Sequence, residues 1–304
     1  MGVALVLLSA AAFGVMAIFA TFAYEAGVSP ESLLLVRFSL AAVLLWGLVR
    51  AQGARVGRGP APLVALLGLG AVLYAVQSTA YFEALQFTDA SVLTIIYYTY
   101  PAMVAVAAAL LGRERLTPAR LAALVVATGG LVMVVLGGGV GSVRPLGVLL
   151  GLTCALSYTV YVLVCDRVSG ALEPLPLAAL VFTGAAATLA VRSALAGGPD
   201  LTFQPVGWLW LAGIAVVSTV LGMVAFFAAM ARTGPSTASI LSMAEPVVTA
   251  VLAAALLQQT PTVAQVIGGA VVLFAVTLLQ VRRRSPASAP VPPASSSSVE
   301  AARL

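Results

Sequence analysis

Glu245 is the residue whose type and place most demand a chemical explanation. It stands about ten residues into an apolar run. At mid-bilayer depth a bare charge costs at least about 2.5 to 3.5 kcal/mol, so a carboxylate there needs a partner or a task. Three readings stay open: binding a substrate amine, carrying a coupling proton, or accepting a structural hydrogen bond. Ser242 and Thr249 are its neighbours on a helical wheel. Arg37 is the basic residue that lies within an apolar run. Close to the outer end of its segment, it can snorkel to the headgroups, or meet Glu245 or a substrate carboxylate. Glu83, near the outer end of another run, fits interface anchoring.

Around these charges run stripes of smaller polar groups and tyrosines. At 100° per residue, Ser91, Thr94, Tyr98 and Pro101 share one helix face, and Ser236, Ser239, Met243 and Pro246 share another. Tyr74, Gln77, Ser78 and Tyr81 form a third stripe, and Thr153, Ser157 and Tyr161 a fourth. Such groups either line a cavity or join helices by hydrogen bonds worth about 0.6 kcal/mol each in membranes. Pro101 and Pro246 each fall near the middle of an apolar run. Proline lacks a donor and clashes with the preceding turn, so it predicts kinked helices whose freed carbonyls face protein or a cavity.

Several chemistries are excluded. With no His, there is no Ser-His-Asp site, His-ligated zinc or His proton relay. Cys154 and Cys165 share one apolar run, eleven residues apart, which suits packing rather than a disulfide framework or metal motif. The stretch Gly137 to Gly141 lacks the Gly-Lys-Ser/Thr ending of a phosphate-binding loop and reads as a connector. No cofactor or metal is expected. The net charge of +5 could suggest nucleic acid, but all fifteen basic residues are Arg and most sit in short gaps between apolar runs. That distribution fits membrane topology better than a basic groove, so no nucleic-acid partner is expected.

The elements that position these residues follow from composition. The chain of 304 residues is 62% apolar and 8% charged, against about half and a quarter in soluble domains. A membrane-spanning helix needs about 20 apolar residues. Apolar runs near 3–24, 32–49, 62–85, 90–111, 119–136, 146–165, 175–195, 206–230, 236–257 and 262–281 predict ten transmembrane helices in an all-α integral membrane protein. The runs do not alternate, which excludes a β-barrel. With the amino terminus inside, the inner segments carry Arg50, Arg55, Arg58, Arg113, Arg115, Arg120, Arg167, Arg232, Arg282, Arg283, Arg284 and Arg303. The outer loops carry only Arg144 and Arg192. Both termini are therefore expected in the cytoplasm, in a multi-pass protein of the plasma (inner) membrane. Residues 282–304, rich in Ser, Pro and Ala, read as a disordered tail.

A shift of 145 positions lays the sequence on itself. Tyr81-Phe82-Glu83-Ala84 falls on Phe226-Phe227-Ala228-Ala229, Ser91 on Ser236, Thr94 on Ser239, Pro101 on Pro246 and Thr117 on Thr262. Because five is odd, two five-helix halves, residues 1–137 and 146–281, must be inverted relative to each other, a plan that places a substrate near the midplane where the repeats meet. The turn Arg113-Glu114-Arg115 becomes Gln258-Gln259 in the second copy, charged inside and neutral outside. Gly129-Gly130 and Gly268-Gly269 lie in the last helix of each half and suit close packing, within a half or across a dimer.

The segments Tyr81 to Leu93, Tyr100-Pro101, Leu111 to Thr117 and Ala238 to Val248 resemble the EamA-type repeat of the drug/metabolite transporter superfamily. The resemblance spans nearly all of residues 3–281 and departs from the family's Gly-Glu at Gln258-Gln259. It implies ten helices, cytoplasmic termini and movement, commonly export, of metabolites such as amino acids. The expected partners are the bilayer, a small-molecule substrate and a proton or other coupling ion, with the chain a monomer or homodimer. A non-transporting membrane scaffold or sensor is the competing class, and an enzyme is disfavoured.

Overall fold

A computed structural model describes residues 1–84, 87–88, 90–113, 115–137, 144–256 and 261–284. The described residues are helical throughout their regular elements. In chain order they form α1 (Gly2–Glu25), α2 (Pro30–Ala51), α3 (Ala61–Leu63, Val64–Tyr74 and Ala75–Ala84 in continuous succession), α4 (Ala90–Tyr97 and Tyr100–Leu110) and α5 (Pro118–Leu136). There follow α6 (Pro145–Val168), α7 (Pro174–Leu195), α8 (Val206–Gly213, Ile214–Leu221 and Gly222–Thr233), α9 (Pro235–Ser242 and Glu245–Leu256) and α10 (Val263–Arg284). Nine of them are long and apolar enough to cross a membrane among the described residues. The tenth predicted run corresponds to α10, whose described apolar stretch, Val263–Ala275, is shorter. The tail beyond Arg284, most of the Gly137 to Gly141 connector and the Gln258-Gln259 turn lie outside the described residues.

Local sequence explains where these helices begin. Proline opens α2, α5, α6, α7 and α9, where its missing N–H is not needed and its fixed φ is already helical. Ser29 caps α2 by accepting from the Ser32 amide at 3.2 Å. Thr117 accepts from the Arg120 amide at 3.3 Å. At the equivalent place in the second copy, Thr262 accepts from the Gln265 amide at 3.3 Å while Gln265 Oε1 accepts from the Thr262 amide at 2.8 Å. This reciprocal cap satisfies two amides that the helix leaves unpaired.

Two features recur in both copies, the second of them 145 residues apart. The central part of α3 is π-helical over Val64–Tyr74 and that of α8 over Ile214–Leu221, a wide coil often found at functional sites. The regular hydrogen bonding of the fourth and ninth helices is interrupted at Tyr98-Thr99 and at Met243-Ala244. There the amides of Thr99, Met243 and Ala244 reach back three residues, to the carbonyls of Ile96, Ile240 and Leu241. Pro101 and Pro246 are the second residues of the helices that restart. They end one helix by withholding an amide and suit the first turn of the next.

The packing interleaves the two halves. α1 lies against α8 and α9, while α6 lies against α3 and α4. α2 packs on α7 and α5 on α10. Gly130 and Gly268 meet between the halves, within one chain: a Cβ on Gly130 would stand 2.7 Å from the Gly268 carbonyl oxygen. Gly184 of α7 is tighter still against α3, where a Cβ would stand 2.0 Å from the Leu66 carbonyl oxygen. Glu83 pairs with Arg192 at 3.0 Å, tying α3 to α7.

Candidate functional site

The two interruptions bring helix ends together in the interior, since the restarted half of α4 packs on the first half of α9. Glu245 is the first residue of its restarted helix, and its equivalent in the first copy is Tyr100. The Tyr98 hydroxyl is buried and has no formed hydrogen bond. It neighbours the Glu245 carboxyl. Glu245 is deeply set yet keeps some accessible surface.

Arg37 turns inward rather than toward the headgroups and is 5% exposed. Its Nε donates to Thr219 Oγ1 at 2.8 Å, and Thr219 donates in turn to the Ile214 carbonyl at 3.0 Å. The guanidinium lies beside the Tyr74 hydroxyl and within the electrostatic reach of Glu245. Among the described residues, no ion pair joins Arg37 to Glu245. An opposite charge in view reduces the cost of each buried ion.

Seven of the eight tyrosines gather here in one network of ring contacts. Tyr74 of α3 packs on Phe38 and Phe182 at 5.4 and 5.6 Å between centroids and on Tyr161 at 5.3 Å. Tyr161 stacks on Tyr158 at 5.4 Å, and Tyr158 meets Tyr100 edge-on at 4.8 Å. Tyr97 touches Tyr158, Tyr100, Tyr98 and, at 6.1 Å, Tyr81. Tyr81 interacts with Thr94 and Tyr100 neighbours Ser242, whose hydroxyl donates to the Ala238 carbonyl at 2.9 Å. The eighth, Tyr24, feels the charge of Arg37. Rings with a polar tip suit a site that is apolar in body and polar at fixed points.

The sequence-derived candidates divide accordingly. Glu245, Arg37, Tyr74, Tyr81, Thr94, Tyr98, Tyr161 and Ser242 converge. Gln77 donates to Cys154 Sγ at 3.5 Å and accepts from Ser78 at 3.2 Å, at the border of the cluster. Ser157 is half-buried beside the exposed Leu156 and Val160, and it forms no hydrogen bond among the described residues. The Ser91 side chain is outside the described set. Sequence reasoning missed Tyr97, Tyr100, Tyr158 and Thr219. The inward stripe of α6 is Cys154, Tyr158, Tyr161 and Cys165, one position round from the Thr153-Ser157-Tyr161 stripe. The eleven-residue spacing of the two cysteines, about three turns, was the signal for it.

On the first half of α9 every residue is buried. Ser236, Thr237 and Ser239 are each at most 1% exposed, and their hydroxyls have no protein partner. Leaving a buried hydroxyl unpaired costs about 1–3 kcal/mol.

A family model described as the EamA-like transporter family matches residues 1–136 and 145–281. Among solved structures, one titled "Crystal structure of protein" superposes with a TM-score of 0.79 at 22% identity, covering 94% of this chain and 99% of that chain. At that identity the likeness speaks for the fold alone. No curated protein matches.

Proposed function

Since the chain belongs to the EamA-like transporter family and is a multi-pass membrane protein, we propose that it is a secondary transporter of small metabolites, such as amino acids or related compounds, exporting them across the plasma membrane by alternating access. Ten spans, arranged as two inverted five-helix halves with both termini cytoplasmic, complete this reading. The observation that carries it is the coincidence of the two helix interruptions, 145 residues apart, at the place where Glu245, Arg37 and the tyrosines converge. Inverted repeats with broken helices hold substrates at the midplane in this way.

Arg37 offers a fork for a carboxylate, Glu245 receives an amine or a coupling proton, and the rings hold an apolar body. The unpartnered hydroxyls of α9 support the second half of the cycle. They are buried here, and they gain water when the cytoplasmic side opens. A scaffold or sensor has no use for such a mirrored polar interior. The test is counterflow in vesicles containing the purified protein, screening amino acids, nucleosides, polyamines and cationic dyes. Saturable exchange of one class is expected. Flux indistinguishable from empty vesicles across the screen would favour the scaffold or sensor.

A further inference from the structure

Away from the tyrosine cluster, a cavity of about 520 Å³ opens between α2 and α7, lined by Ala42, Val43, Trp46, Arg50 and Thr183. Its upper part is apolar, with Val43 69% exposed. Trp46 is held edge-in: its Nε1 donates to Thr183 Oγ1 at 2.9 Å, so the ring's polar atom is satisfied within the wall. Arg50, in the last turn of α2, is exposed and forms no hydrogen bond or ion pair with the described residues. Gly47, on the same flank, has open space where a side chain would stand.

We propose that this groove is a binding site for one anionic phospholipid, its phosphate on Arg50 and an acyl chain along Val43 and the face of Trp46. Charge complementarity selects the occupant, because a cation without a protein partner ends an apolar groove whose only indole donor is already used. On the orientation proposed above, Arg50 faces the cytoplasmic leaflet, which is the anionic one. The fold supplies an internal control. The shift of 145 maps Ala42, Val43, Trp46 and Arg50 onto Ala187, Thr188, Val191 and Leu195. The equivalent face of α7 thus has neither the indole nor the cation at those positions. A packing requirement common to both copies would have kept them alike.

The test uses the purified full chain in detergent, with thermal melting and native mass spectrometry as readouts. Phosphatidylglycerol is compared with phosphatidylcholine of the same acyl chains and with inorganic phosphate. Phosphatidylglycerol should raise the melting midpoint and be retained as one tight equivalent, phosphatidylcholine should do so more weakly, and phosphate should do neither. Arg50→Gln should weaken phosphatidylglycerol about fivefold, the ratio given by about 1 kcal/mol per basic residue near a lipid surface. Gly47→Leu, which fills open space without a clash, should weaken both lipids. Unchanged phosphatidylglycerol affinity in Arg50→Gln, equal affinity for the two lipids, or the same effect from phosphate alone would each overturn the assignment. None of these readouts depends on transport, so the lipid site and the transport reading can fail separately.

Discussion

Glu245 was legible as a problem before it was legible as a site. Its depth in an apolar run required compensation, and the structure places Tyr98 and, further off, Arg37 in its field. Replacing the carboxylate by the amide in Glu245→Gln mimics the protonated form. The expected outcome is loss of gradient-driven accumulation with exchange of labelled for unlabelled substrate retained, both measured in vesicles. Joint loss of the two would reassign Glu245 to substrate binding. Lower folded yield with normal flux per folded molecule would make it structural. The tyrosines were less legible. Tyr158 lies 100° from Ser157 on the wheel, and a polar stripe drawn through the hydroxyl residues followed the lipid-side edge of α6 rather than its buried face.

At the scale of helices, caps and prolines announced the starts of segments, because N-terminal chemistry is local. Proline says where a helix is disturbed, and the neighbouring turn decides how. That depends on whether the preceding turn can tighten to three-residue hydrogen bonds, as it does before Pro101 and Pro246. Glycines are similar, since only packing tells which ones are indispensable. Gly184→Ala drives a Cβ into the α3 backbone, which cannot swing aside like a side chain. It should cost about 1–3 kcal/mol, seen as a lowered melting midpoint in detergent. Gly129→Ala is the contrast, with nothing within 4 Å of its Cβ. There the gain in helix propensity, up to about 1 kcal/mol, should leave the midpoint unchanged or raise it. Equal effects at the two positions would contradict the tight α3–α7 contact.

For the whole molecule, orientation is the open quantity that charge predicts most directly. Twelve arginines on one side against two on the other predict that both termini are in the cytoplasm. Cysteine labelling of intact cells tests this against a quiet background, because Cys154 and Cys165 are both buried. Gly27 is a poor labelling position, since its φ of 88° disfavours any side chain. Glu25, at the end of α1, and Arg55, in the segment after α2, are both exposed. A membrane-impermeant thiol reagent should label Glu25→Cys and miss Arg55→Cys. The reverse pattern would invert the topology and, with it, the leaflet assigned to the groove at Arg50.

By itself the amino-acid order determined what depends on neighbours along the chain. That includes apolar runs long enough for a membrane, helix starts at capped prolines, the 145-residue repeat and the positions of the two interruptions. Tertiary structure decided which polar groups share a space. Arg37 and Thr219 are 182 residues apart, and Tyr98 reaches Glu245 from the other half of the molecule. Helical periodicity assigns a residue to a face, but what that face meets depends on interhelical approach. Here the backbone contacts at Gly70, Gly130, Gly184 and Gly268 set that approach. Close glycine contacts draw the halves together until the charges and rings of different helices enclose one interior.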